Sequence, residues 1–584
     1  LSTIPNGFCS DEALTGYDSY SILMTLRDQH GDLLPLFTWT MGYYNESLKL
    51  LLTAPFIWLF GLNEFATRLP IALIGISTVW VLFALVKEYA NERLALAAGL
   101  LLAISPWHLQ FSRSSVRATL VPFFFCLALF LFVKSLRRPQ YLVLSALVFA
   151  ISLHTYYSAR VTVPLFVAGL LVLFWRELWQ AKKPTLVAFA LFLGIFVPLA
   201  WFWISPQGMA RANETLVTDP LAILTYYLSY YDPRFLFLEG DPNIRHSLRD
   251  FGQLHLFELV TVPVGLWTVF KEHRKEHWIL WIWLILYPVP AAFTEPHHAM
   301  RSMVGAPLFA VFSAHGLMRA IDFFQHTRLR TPMMLASALV VMLSSLFHLK
   351  SYFLDYPKYS AMAWQYGMKE AIAFTERSAH RDVVISRRLV PYIFVLFYTK
   401  YPPSEYLRLP LHLRERMWAY SDRPLGKYYF PSIRSLIIPA GTGLLVCRPD
   451  ELNALTIKGY AWREVHDIAD PLGKKLITIV EVTGTGLQHS LSTSRAAIRA
   501  DPLHLEGYLG LGTILEAMVD AGETIDDAAL ELFTTVLQGR FEFAKSDDYV
   551  HLGDIFSALG RTDEASTAYG IALDLDPIRR SRLE

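Results

Sequence analysis

Apolar residues in this chain come in long blocks, with little strand-like alternation. Continuous apolar runs lie near 69–87, 94–110, 119–134, 141–157, 161–175, 185–204, 253–270, 278–293, 303–320 and 332–349. A helix rises about 1.5 Å per residue and needs about twenty apolar residues to cross about 30 Å of hydrocarbon, so several runs are short and their ends uncertain by a few positions. The pattern predicts a mainly α, polytopic membrane domain over residues 1–350. The run Leu50 to Leu62 is too short to span comfortably and carries Trp58, with Lys49 at its edge, so it reads as an interfacial helix inside an outer loop covering 1–68. After residue 350 charge returns. Asp382–Ser386, Gly443–Cys447 and Lys475–Val482 read as strands and Ala361–Ser378 as a helix, which predicts a small α/β domain over 351–487, with Gly484 and Gly486 marking a linker.

The last segment, 488–584, has a period of its own. Asp501–Pro502 recurs as Asp576–Pro577, and Tyr508/Gly512 is echoed by Tyr549/Gly553. Ala565, Ala568 and Ala572 lie at helical spacing beside Tyr569, with Gly560 as the break. This resembles tetratricopeptide repeats, with an insertion around Val519 to Asp527, and the resemblance implies a docking module for a peptide or protein partner.

Charge adds orientation. Arg137–Arg138, Lys182–Lys183, Lys271 to His277 and Arg328/Arg330 fall on one side of the alternation, which the positive-inside rule assigns to the cytoplasm. The other side holds Asp11, Arg113 to Arg117, the loop 205–252, Glu295 to Arg301 and everything after 350. That predicts a multi-pass protein of the cytoplasmic membrane with an extracytoplasmic C-terminal part. A composition of 53% hydrophobic and 18% charged residues agrees, and 52 basic against 51 acidic residues leaves no basic footprint for nucleic acid. Cys9, Cys126 and Cys447 are too few and too scattered for a framework, and Cys9 with Cys447 reads better as two separate thiols than as a pair. The chain starts on Leu with no apolar span before Asp11, so a first helix is expected to be missing.

An acidic pair, Asp11–Glu12, is followed by Arg27–Asp28, a loop through Gly31 and Pro35, the interfacial run, and the phrase Glu64 to Pro70 entering a span. That order resembles the GT-C glycosyltransferases that use polyprenyl-phosphate sugars, the class of protein O-mannosyltransferases and lipid A aminoarabinose transferases. The resemblance covers about residues 1–350. It implies inverting transfer of a sugar from a lipid phosphate to a hydroxyl of a protein or glycolipid acceptor. Such a hydroxyl needs a carboxylate to take its proton, and the family pattern gives that role to Asp11, with Glu12 and Asp28 as supporting acids. A helix N-cap formed by Ser10 and Asp11 is the competing reading.

Many relatives carry a second Asp before a Pro, where this chain has Val121–Pro122. The long loop then has to supply that acid, from Asp241 or Asp232, with Glu239 also available. The leaving phosphate calls for cations, and Arg301, Arg245 and Lys49 are chosen from a set that also includes Arg113, Arg117 and Arg160. Each taken singly also suits an interfacial anchor. His246 and His298 are placed in the substrate pocket. No cofactor is expected and a divalent metal is not favoured, because neighbouring side chains such as His297 and His298 point about 100° apart on a helix. Tyr156–Tyr157 and Trp201/Trp203 read as belt aromatics, and Asn45–Glu46–Ser47 as a chance glycosylation motif. A transporter would carry acids or breaks within its spans, and a repeat scaffold would need only one anchor, so both remain second to an interfacial enzyme.

Overall fold

The computed structural model describes residues 1–40, 42–324, 327–417, 421–431, 443–453, 461–483, 505–520, 527–538 and 546–575, with Leu491, Arg495, Ile498 and Arg499. They form two compact units, Leu1–Trp364 and Gln365–Glu584.

The first unit is a helical bundle. It opens on α1 (Ser10–Thr25), a hairpin of β1 (Phe37–Thr40) and β2 (Tyr43–Glu46), then α2 (Leu48–Phe60) and α3 (Glu64–Tyr89). Every apolar run read from the sequence overlaps a helix, but 94–110 and 278–293 are each split over two, 141–157 runs past a helix that ends at Ser152, and 253–270 is helical only from Glu258. Among the described residues, four helices are long and apolar enough to cross a membrane: Glu64–Tyr89, Arg117–Ser135, Lys182–Trp203 and Arg330–Ser360. Glu92–Ile104 with Pro106–Ser112 adds a fifth, bent by 58°. The bend has a local cause, since Ser105 caps the second half by accepting the His108 N–H and Pro106 sits at its first position. The run Leu50 to Leu62 forms the thirteen-residue α2, below the length of a span.

Close packing is explicit where the helices Glu258–Glu272 and Gly305–Phe323 cross. A Cβ on Gly265 would collide with the Phe312 carbonyl, and one on Gly316 with that of Thr261, so the two backbones meet where side chains are missing. Thr261 and Ser313 share a 2.6 Å hydrogen bond across the contact. The loop expected over 205–252 instead contains helices Pro206–Thr215 and Pro220–Ser229 and a π turn, Arg234–Leu238. Each of the two helices has a side-chain cap followed by proline, Ser205–Pro206 and Asp219–Pro220, a start signal that the hydropathy reading passed over.

The first unit ends at Trp364, later than the expected 350. The reason is polar as well as apolar: Trp364 Nε1 donates to Tyr356 Oη (2.6 Å), and Tyr356 Oη donates to the Ile244 carbonyl (2.8 Å), which ties 356–364 into the bundle.

The second unit holds a six-stranded sheet of order β4-β5-β3-β6-β8-β7, where β3 is Val383–Ile385, β4 Ser421–Leu425, β5 Tyr428–Phe430, β6 Gly443–Cys447, β7 Ala461–Ala469 and β8 Lys475–Thr483. β3 pairs parallel with β5 and β6, and the remaining pairs are antiparallel. The three strands read from the sequence are present, and β4, β5 and β7 were missed. The expected helix Ala361–Ser378 is shortened to Met368–Arg377, because Gly367 takes a left-handed conformation at its start.

Beyond the sheet lie helices Leu505–Asp520, Asp527–Thr534, Ser546–Ala558 and Thr562–Leu575. Gly512 packs under Phe533 and Gly553 under Tyr569, and Gly560 is left-handed between the last two helices. The Asp-Pro pairs at 501 and 576, and Gly484/Gly486, lie outside the described residues. Cys9, Cys126 and Cys447 are all buried and free.

Candidate functional site

Asp11 and Glu12 sit side by side on the first turn of α1 and do opposite things. The N-cap is Cys9, and Glu12 reaches back to accept its N–H (3.3 Å). Capping therefore falls to Cys9 with Glu12 and leaves the Asp11 carboxylate out of it. Glu12 is wholly buried and accepts from Arg68 twice, Nε to Oε1 at 2.8 Å and Nη2 to Oε2 at 2.7 Å, and from the Ser115 N–H at 2.8 Å. Arg68 also donates to the carbonyls of Leu1 (2.8 Å), Pro5 (3.1 Å) and Gly7 (2.5 Å). The supporting acid of the sequence reading is thus a structural clamp that fixes the segment in front of α1.

Asp11, by contrast, keeps 64% of its side chain exposed and has Arg245 Nη1 3.5 Å from its Oδ2. Lys49 and Arg117 lie near enough to feel its charge. Lys49 is buried and donates to the Ser115 carbonyl (2.9 Å). Burial, aided by the charge of Arg117, pulls its ammonium down to about 8.

Asp28 is not at this surface. It is buried in the turn after α1, where its Oδ1 accepts the N–H groups of His30 (2.9 Å) and Asp32 (3.0 Å). Burial pushes its carboxyl up to about 6, and burial together with the nearby Asp28 raises that of Asp18. Asp18 accepts the Gln29 N–H (3.0 Å), so the two acids shape the loop.

The arginines divide. Arg113 donates to the Ile4 carbonyl (3.4 Å) and lies over the rings of Tyr352 and Phe353. Arg117 and Arg160 both converge on the buried Glu46 of β2, at 3.1 and 2.9 Å, and stack on Tyr157, with Tyr156 also under Arg117. Arg301 pairs with Glu295 Oε1 (3.1 Å) and reaches Tyr156. Tyr156 and Tyr157 are consequently inward platforms for guanidinium groups, which corrects the belt reading, and Trp203 lies under Arg160. Trp201 stays exposed, as a belt residue would. Glu46 was missed, hidden in what read as a glycosylation motif. The available signal was an acid placed directly before an apolar helix.

Val121 is buried inside the helix Leu120–Ser135, so no acid faces the site from that position. Of the loop acids, Asp232 caps the Arg234 N–H (2.9 Å) and lies 3.9 Å from His297. Asp241 is buried, accepts the N–H groups of Asn243 and Ala299 (both 2.8 Å), and has His246 Nδ1 2.8 Å from Oδ2. His298 Nδ1 lies 3.9 Å from the same oxygen, and the His246 and His298 rings are 4.9 Å apart. Residues assigned separately from sequence, a spare acid and two pocket histidines, are one cluster whose ligand-type atoms lie within 4.8 Å of one another.

Pro106–Ser112 supports both loops. Trp107 Nε1 donates to the Ala299 carbonyl (2.9 Å), and Gln110 Nε2 to that of Arg245 (2.8 Å).

The family described as dolichyl-phosphate-mannose-protein mannosyltransferase matches residues 49–203. A search of curated proteins found no match. Among solved structures, ArnT from Cupriavidus metallidurans bound to undecaprenyl phosphate is similar at 13% identity and TM-score 0.53, over 80% of this chain and 93% of that one. The apo form of the same protein is similar at 14% identity and TM-score 0.50, with the same coverage. This chain is a multi-pass helical membrane protein of GT-C fold with a small sheet domain toward its C-terminus.

Proposed function

We propose that the protein transfers a sugar from a polyprenyl-phosphate carrier to an acceptor hydroxyl at the outer face of the cytoplasmic membrane. The single observation that carries this reading is the exposed Asp11 carboxylate with Arg245 3.5 Å away and with Lys49 and Arg117 near enough to feel its charge. A base and phosphate-binding cations stand together on a fold shared with a structure that holds undecaprenyl phosphate. In this reading Asp11 accepts the proton of the acceptor hydroxyl as its oxygen attacks the anomeric carbon. The bond to the carrier oxygen breaks, and Arg245, Lys49 and Arg301 take up the charge developing on the phosphate. Attack on the face opposite the leaving group inverts the anomeric centre. The acceptor is a protein or glycolipid, and the C-terminal helices recruit it as tetratricopeptide-like repeats.

Asp11→Asn preserves size and the neighbouring clamp. Purified in detergent and supplied with a polyprenyl-phosphate sugar, it is expected to lose at least about a hundredfold in transfer, while its thermal midpoint and carrier affinity stay near those of the parent. Undiminished turnover in this variant would remove Asp11 as the base.

A further inference from the structure

We propose that Asp241, His246 and His298 form a binding site for one divalent cation of the zinc class, held between the loop after the π turn and the loop before Gly305–Phe323. The inference is independent of the reaction proposed above. Its first support is the donor set. Two imidazoles and one carboxylate, all drawn within 4.8 Å, are ligands that suit zinc and its neighbours, whereas magnesium and calcium call for oxygen sets.

The second support is the direction of the lone pairs. His298 Nδ1 accepts the Arg301 N–H at 3.4 Å, so the ring proton belongs on Nε2, which faces Glu295 Oε1 at 3.3 Å. His298 Nδ1 therefore carries no proton and lies 3.9 Å from the Asp241 carboxylate, and a cation entering between them takes its lone pair over from the long Arg301 N–H contact. Two acceptors held in that relation are what a cation requires. The spacings, 2.8 Å from Asp241 Oδ2 to His246 Nδ1 and 3.9 Å to His298 Nδ1, are edges that ligands at about 2.0–2.2 Å from a common centre subtend.

The third support is the shell behind the ligands. Asp241 is oriented by the N–H groups of Asn243 and Ala299, one on each oxygen, and His298 by Glu295. Metal-bound imidazoles typically have such a carboxylate or carbonyl partner, and its loss weakens binding. Binding displaces the proton between His246 Nδ1 and Asp241. Three protein ligands leave a fourth position for water or an anionic oxygen, in a region that Arg245 and Arg301 flank in sequence.

The test uses the full-length protein in detergent, stripped with a chelator and titrated with zinc chloride against a chromophoric competitor. The expected result is one zinc per chain, weakened at least tenfold in His246→Ala, His298→Gln and Asp241→Asn and unchanged in His273→Ala, a histidine remote in sequence from the cluster. Thermal unfolding of each stripped variant checks that it is folded, and zinc is expected to raise the midpoint of the parent and of His273→Ala but not of the three cluster variants. A stripped parent that takes up no zinc at micromolar concentration, or folded cluster variants that bind it as the parent does, would overturn the proposal.

Discussion

Glu12 and Arg68 grip each other through two parallel hydrogen bonds of 2.8 and 2.7 Å, with neither side chain open to solvent. The pair is a buried, bidentate ion pair whose remaining donors and acceptors are spent on backbone. Removing one partner leaves the other as an uncompensated buried charge, which typically costs about 3–5 kcal/mol. Glu12→Ala and Arg68→Ala should each lower the thermal midpoint strongly, and their activity should fall in step with the folded fraction. That separates Glu12 from Asp11, whose Asn variant should lose activity without losing fold.

Lys49 sets a pH limit. Its ammonium, ordinarily ionised to above 10, is held at about 8 by burial and by Arg117. A lowered base is charged below its folded value and neutral above it, so one cation leaves the site as pH rises through about 8. Carrier phosphate affinity should fall between pH 7 and 9. Lys49→Arg should extend the plateau upward, which binding of a polyprenyl phosphate measured across that range would show. A profile identical in the two proteins would exclude Lys49 from the phosphate site.

Glu46 holds two arginines at once. Glu46→Gln leaves Arg117 and Arg160 facing each other across a neutral amide, with a cost of about 3 kcal/mol expected for a broken buried pair. Added polyprenyl phosphate should restore more of the midpoint in this variant than in the parent, since an anion can take the vacated place. Equal shifts in both would place the two arginines away from the carrier.

Gly265 and Gly316 allow two helices to touch backbone to backbone. Gly316→Ala should force them apart at a cost of at least about 1–3 kcal/mol, read as a lower midpoint in detergent. Gly570→Ala, at an open position with no atom near the added carbon, should be neutral or slightly stabilising.

Removing residues 488–584 should weaken use of the native acceptor while transfer to a small surrogate alcohol continues. Undiminished transfer to the native acceptor would end the docking role.

What was legible in the sequence follows from range. Apolar blocks report on the solvent each helix faces, so every block overlaps a helix, while the breaks at Ser105 and Pro288 depend on local capping and proline. The strands β3, β6 and β8 were visible because they are rich in Val, Ile and Leu. β4, Ser421–Leu425, carries Ser, Asp, Arg and Pro and gives no such signal. At the site, the acidic pair Asp11–Glu12 is visible in the sequence. The fate of Glu12 is not, because its partner lies fifty-six residues away. Asp241, His246 and His298 were each noticed, yet their meeting depends on how two distant loops fold back over Trp107 and Gln110. Gly512 and Gly553 each make room for an aromatic ring from a neighbouring helix, a contact that the sequence does not display.

The bend after Ile104 has a consequence for dynamics. One short helical segment grips the loop at Arg245 through Gln110 and the loop at Ala299 through Trp107, so the two loops share an anchor. Opening of one is expected to loosen its neighbour. Amide protons on both should therefore exchange with solvent as a single cooperative unit, slowed together by anything that binds to either.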